Sequence, residues 1–120
     1  MTIEGQCHCG AVRFVYPNVP DKLTSCNCSY CRRSSGLWAY APRNEISLEY
    51  AQDSVVRYIW GDKTLAIISC KICGCTTHWE SLEVSETARM GVNMRMADPS
   101  AIAGIRVRRF DGADTWTFLD

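Results

Sequence analysis

The chain has 120 residues, 47% of them hydrophobic, enough for one domain with its own core, and a single domain over residues 1–120 is expected. Thirteen basic and thirteen acidic side chains give a formal net charge of +0, so the overall balance recruits neither nucleic acid nor an anionic membrane. Met1-Thr2-Ile3-Glu4-Gly5 lacks a basic segment followed by an apolar one, and no apolar run is long enough to span a bilayer. The expectation is a soluble, cytoplasmic protein, in whose reducing surroundings eight cysteines are metal ligands or reactive thiols rather than a disulfide framework.

Residues 5–10 read as a turn carrying Cys7 and Cys9, whose CxC spacing puts both thiols on one face of an extended segment. Residues 11–16 alternate as a strand, ended by Pro17 and Pro20 because proline donates no ladder hydrogen bond. Residues 23–27 lead into a CxCxxC run, Cys26, Cys28 and Cys31. Ser29 is placed to cap one or two helical turns through residue 35, and Gly36 to stop them in the left-handed conformation. That helix start brings Cys28 and Cys31 to one side of its first turn, where backbone amides favour thiolate over thiol.

Strands follow over residues 37–41, 46–50, 55–60 and 64–69, the last two joined by a tight turn at Gly61-Asp62 that delivers Cys70 and Cys73 at the far end. Cys70-Lys71-Ile72-Cys73-Gly74 has the form of a zinc knuckle, in which glycine lets backbone amides point at the sulfurs. Further strands are expected over 75–80 and 90–94. Asp98 as cap, Pro99 at the first position and Gly104 as stop define a short helix. Residues 105–110 and 115–119 close the chain as strands around Asp111-Gly112. The pattern is mainly β with one or two short helices, and contains no repeat or linker.

Two cysteine pairs, Cys7/Cys9 and Cys70/Cys73, complete a four-sulfur tetrahedron if the fold joins distant strand ends, closing one structural zinc site. The triple Cys26, Cys28, Cys31 is expected to hold a second zinc with one coordination position open, and an open site can do chemistry. A thiol ligand entering that position loses its proton and becomes a prepared nucleophile for an aldehyde. Arg32 or Arg33 is the natural cation beside it, for a developing alkoxide or for the carboxylate of a peptide-like thiol.

Gly5-Gln6-Cys7-His8-Cys9-Gly10, the triple Cys26, Cys28, Cys31 followed by Arg32, and Cys70, Cys73, Gly74 together resemble the glutathione-dependent formaldehyde-activating enzyme family, also called Gfa-like or centromere protein V-like. The resemblance implies coiled antiparallel β-sheets clasped by a structural zinc on Cys7, Cys9, Cys70 and Cys73. It also implies a second zinc on Cys26, Cys28 and Cys31, at the place the family's namesake uses to engage glutathione. The implied reaction joins formaldehyde and glutathione as S-hydroxymethylglutathione, a carbon-sulfur lyase activity in reverse.

Other residues leave alternatives open. Cys75 either completes the second site, attacks as a free thiol, or is a small buried strand residue. His8 and His78 suit zinc chemically, but His8 faces away from its flanking cysteines and His78 has Trp79 to pack against, so neither is assigned as a ligand. Trp38, Tyr40, Trp60 and Trp79 serve either as core or as the wall of a pocket over the open position. The alternative to an enzyme is a non-catalytic zinc-binding interaction module. A nucleic-acid role has only Arg106, Arg108 and Arg109 behind it, a weak electrostatic footprint in a neutral chain, and is set aside.

Overall fold

Alternation of apolar and polar side chains folds the chain into two sheets that share one core. The computed structural model describes residues 1–120 and contains ten strands and two short α-helices. Strands β1 (Ile3–Gln6), β2 (Arg13–Tyr16) and β5 (Ser47–Glu49) form a three-stranded antiparallel sheet in the order β1-β2-β5. The second sheet takes β3 (Lys22–Cys26), β4 (Trp38–Pro42), β6 (Val55–Tyr58), β7 (Leu65–Cys70), β8 (Thr76–Ser81), β9 (Arg89–Asn93) and β10 (Arg106–Phe110). Its order is β10-β3-β4-β9-β8-β7-β6.

Register decides which side chains meet. Ile3 lies opposite Tyr16 and Gly5 opposite Phe14 in the small sheet, so Ile3, Phe14 and Tyr16 share its inner face. Across the gap, Leu23, Ala39, Ala41, Met90 and Val92 occupy the inner face of the large sheet, and the two sets merge into one buried cluster with Ile46, Met94 and Ala97. The Tyr16 hydroxyl crosses between the sheets and donates to the Tyr40 carbonyl at 2.6 Å.

The large sheet is antiparallel except at its edge, where β10 runs parallel to β3 with Phe110 beside Cys26. Two expected details shift. Helix α1 (Ser29–Ser34) is capped by Cys28 rather than Ser29, because the Cys28 sulfur accepts the Cys31 amide at 3.3 Å. Ser35, not Gly36, takes the left-handed conformation after it (φ 58°), while Gly36 lies against the Trp38 indole, where a Cβ would come within 2.7 Å of the ring. Helix α2 (Pro99–Ile102) follows the expectation, with Asp98 accepting the Ser100 amide at 2.9 Å.

Two strands were not expected and one expected strand does not form. β1 takes in Gly5 and Gln6 from the start of the stretch read as a turn, and β3 takes in most of the lead-in read over residues 23–27. Residues 115–119 form no strand; their one ladder contact with the sheet is an isolated bridge between Phe118 and Phe110. Asp111 captures the Thr115 amide (3.1 Å) and hydroxyl (2.8 Å), and such local bonds compete with a ladder. Because Phe14 is only 1% exposed at the centre of the shared core, Phe14→Ala is expected to cost about 3–5 kcal/mol. Urea unfolding should show a lower midpoint at unchanged slope.

Candidate metal centres

Seven of the eight cysteines gather into two groups, Cys7/Cys9/Cys70/Cys73 and Cys26/Cys28/Cys31, and within each group the sulfurs all lie within 4.8 Å of one another. None of the eight forms a disulfide. Each group could hold a metal ion.

The first group joins the two sheets. Cys7 and Cys9 come from the turn between β1 and β2, Cys70 ends β7, and Cys73 belongs to the turn after it. Cys9 Sγ stands 3.7 Å from Cys7 Sγ and 3.6 Å from Cys70 Sγ. Cys7 and Cys70 are buried, and Cys9 is exposed. Backbone amides are aimed at the sulfurs: Val12 N–H donates to Cys7 Sγ at 3.3 Å, and the amides of Cys75 and Cys9 hold the Cys73 thiol well below the ordinary thiol range. Gly74, with φ of 81°, turns the chain sharply enough for its own amide to bond the Cys70 carbonyl at 2.8 Å.

The second group is local, built from the end of β3 and the first turn of α1, and all three of its cysteines are half-buried. Cys28 N–H donates to Cys26 Sγ at 3.4 Å and Cys31 N–H to Cys28 Sγ at 3.3 Å. The hydrogen bond from Cys31 lowers the Cys26 thiol, and the same contact together with burial raises Cys31. The three sulfurs thus share negative charge that only a cation among them would let all of them carry.

The neighbours expected around this group are partly there. Arg33 turns back and donates to the Ser29 carbonyl at 2.6 Å, whereas Arg32 is exposed beside the cluster. Tyr30 reaches from α1 across the sheet, its hydroxyl 3.1 Å from Thr76 Oγ1 and its ring 5.8 Å from Tyr58. Trp38 is buried, while Tyr40 and Trp79 are half-buried with ring centroids 6.0 Å apart and the Arg89 guanidinium over Tyr40.

Cys75 does not join the three-thiol group. It packs against the core patch around Cys7 and Cys70, where the His8 amide reaches it, and burial and the neighbouring Cys73 raise its thiol. Two open grooves, of about 450 and 520 Å³, are lined by residues of neither cysteine group.

Against known sequences, a family model described as glutathione-dependent formaldehyde-activating enzyme matches residues 2–107. The chain belongs to that family. A Halomonas elongata protein named "Putative glutathione-dependent formaldehyde-activating enzyme" is 39% identical over 82 residues, which are 67% of this chain and 48% of that one. The chain thus spans about half the length of the curated relative it matches. The crystal structure of a Rhodobacter sphaeroides protein superposes with a TM-score of 0.67 at 25% identity, covering 88% of this chain and 99% of the other. No helix is long and apolar enough to cross a membrane.

Reading the sequence missed Gly112, whose backbone closes on the second group: a Cβ there would stand 2.5 Å from Cys26 Sγ. The parallel pairing of β10 with β3 carries the chain there, a long-range contact that no local spacing signals.

Neither histidine approaches a sulfur group. His8 is exposed, and His78 is fully buried on the inner face of β8. His78 Nδ1 lies 2.8 Å from Thr77 Oγ1 and its Nε2 2.8 Å from Glu80 Oε2, which also accepts the Tyr50 hydroxyl at 2.6 Å. Arg57 reaches the other Glu80 oxygen at 3.4 Å. The hydrogen bond with His78, assisted by Tyr50, outweighs burial and holds the Glu80 carboxyl at about 2. A carboxylate depressed in the folded state stabilises above its ordinary value of 4.5, and that contribution drains away as pH falls from about 4.5 to about 2. The stability gap between the unaltered chain and Glu80→Gln, measured by urea unfolding at stepped pH, is expected to be widest near neutrality and to close across that window.

Proposed function

We propose that this chain is a zinc-dependent carbon-sulfur lyase-like enzyme acting on a small thiol adduct of the S-hydroxymethylglutathione type. Cys7, Cys9, Cys70 and Cys73 hold a structural zinc, and Cys26, Cys28 and Cys31 a second. The observation that carries this reading is the division of seven sulfurs into four and three. The fit to zinc rests on donor chemistry and spacing. Sulfurs about 2.3 Å from a tetrahedral zinc are about 3.8 Å apart, close to the 3.7 and 3.6 Å that separate Cys9 from Cys7 and Cys70. Amides donating to the sulfurs are the outer support that thiolate ligands need.

The first group has four protein donors and no room for a substrate, so its role is folding. The second lacks a fourth protein ligand. Zinc bound there supplies a coordination position that favours the thiolate form of an incoming thiol. In the synthetic direction the glutathione sulfur donates its electron pair to the formaldehyde carbon and a C–S bond forms. The C=O π pair moves to oxygen, which ends with the proton the thiol gave up, so nothing is oxidised or reduced. Arg32, exposed at the first turn of α1, is the residue to which the ligand's carboxylate or the developing oxyanion is assigned.

A second reading, a non-catalytic zinc-binding interaction module, draws on two open grooves that lie away from both cysteine groups. Calorimetry separates the two. Glutathione titrated into zinc-loaded protein is expected to release heat, and Cys28→Ser to abolish it; a loaded protein that gives no heat favours the module.

Folding gives an independent check. Zinc contributes on the order of ten kcal/mol to small zinc domains, as much as a domain's whole stability. Chelation, or Cys70→Ser, is therefore expected to leave an unfolded far-UV spectrum, whereas Cys31→Ser keeps the β signature.

A further inference from the structure

Residues 111–116 lie beyond the stretch that the family model matches, which ends at residue 107, yet they fold back onto the three-thiol group. Asn27, between Cys26 and Cys28, grips this loop at two points and the end of β10 at a third. Its side-chain nitrogen donates to Asp111 Oδ1 at 3.0 Å, its side-chain oxygen accepts the Ala113 amide at 3.0 Å, and its own amide donates to the Phe110 carbonyl at 3.1 Å. Asp111 then closes the loop on itself, accepting the Thr115 amide and hydroxyl on Oδ2 and the Trp116 amide on its carbonyl at 2.8 Å.

The clasp seats Gly112 where no other residue fits. A Cβ at that position would meet Cys26 Sγ at 2.5 Å, Cys28 Cβ at 3.4 Å and Trp116 Cζ3 at 3.5 Å, so the indole edge and the Cys26 sulfur flank one point. The Gly112 amide also donates towards Cys26. Trp116 takes a φ of 59°, rare for a bulky residue, and stays 71% exposed while its ring meets Phe110 edge-on at 5.1 Å. Strained backbone of this kind clusters at ligand sites, and here it holds the indole beside the thiol group, where a ligand would meet it.

We propose that this loop is a working wall of the three-thiol site. Gly112 and Asn27 are positioning residues that fix the Cys26 sulfur for metal binding, and Trp116 offers its indole face to the thiol ligand, a soft sulfur and its methylene against an aromatic ring. The inference rests on the zinc and thiol reading of that site given above.

Zinc per chain by elemental analysis, glutathione affinity by calorimetry and far-UV circular dichroism test it on the full chain. The unaltered protein is expected to carry two zincs, and Gly104→Ala, whose new Cβ meets nothing within 4 Å, to match it. Gly112→Ala, by clash, and Asn27→Ala, by releasing the clasp without one, are expected to keep the fold and one zinc and to lose the other. Trp116→Ala is expected to keep both zincs and bind glutathione about tenfold more weakly. Two zincs retained in both Gly112→Ala and Asn27→Ala, or unchanged glutathione affinity in Trp116→Ala, overturns the proposal. One zinc in the unaltered chain, or no glutathione heat from it, fails the parent reading instead and takes this one with it.

Discussion

Thiolates repel one another, and three or four sulfurs held within 4.8 Å cannot all be charged unless a cation lies among them. The fold imposes that condition twice, and most of its design follows from where. The four-sulfur group draws on the turn after β1 and on the end of β7, so closing it ties the three-stranded sheet to the seven-stranded one. In a 120-residue chain without a disulfide, a metal closing that group would do what a covalent staple does in a secreted domain.

The three-sulfur group bears no such topological load. Its members span six residues where β3 passes into α1, and Cys28 doubles as the helix cap. It offers three protein donors, so a metal held there would have a fourth position for another ligand. What holds it in shape comes from further away: β10, parallel to β3, carries Phe110 alongside Cys26 and feeds the loop that ends in Trp116. One cluster serves the architecture, and the other is served by it.

Cysteine spacing was the most legible feature of the sequence, because CxC, CxxCG and CxCxxC constrain sulfur positions almost independently of the fold. The strands bearing plain alternation, such as β4 and β7, were legible for the same local reason. β1 was not, since Gly5 reads as a turn former until the Phe14 ring is seen packed on it. β3 was hidden by polar residues in Lys22–Cys26, whose strand character comes from two neighbours, β10 and β4, rather than from its own composition. Residues 115–119 alternate convincingly, but the amides of Thr115 and Trp116 are taken by Asp111, and Asp120 is drawn to Arg109 at 3.1 Å. Arg108 and Arg109 are engaged at that carboxyl end rather than lined up as a basic stripe.

X-ray absorption at the zinc edge, on zinc-loaded protein before and after adding glutathione, tests the central claim most directly. Two environments are expected at first, one of sulfur alone and one of three sulfurs with a lighter atom, with Zn–S near about 2.3 Å. Glutathione should remove the lighter scatterer and add a sulfur. Four sulfurs around every zinc before glutathione arrives, or a spectrum that glutathione leaves untouched, would contradict the account.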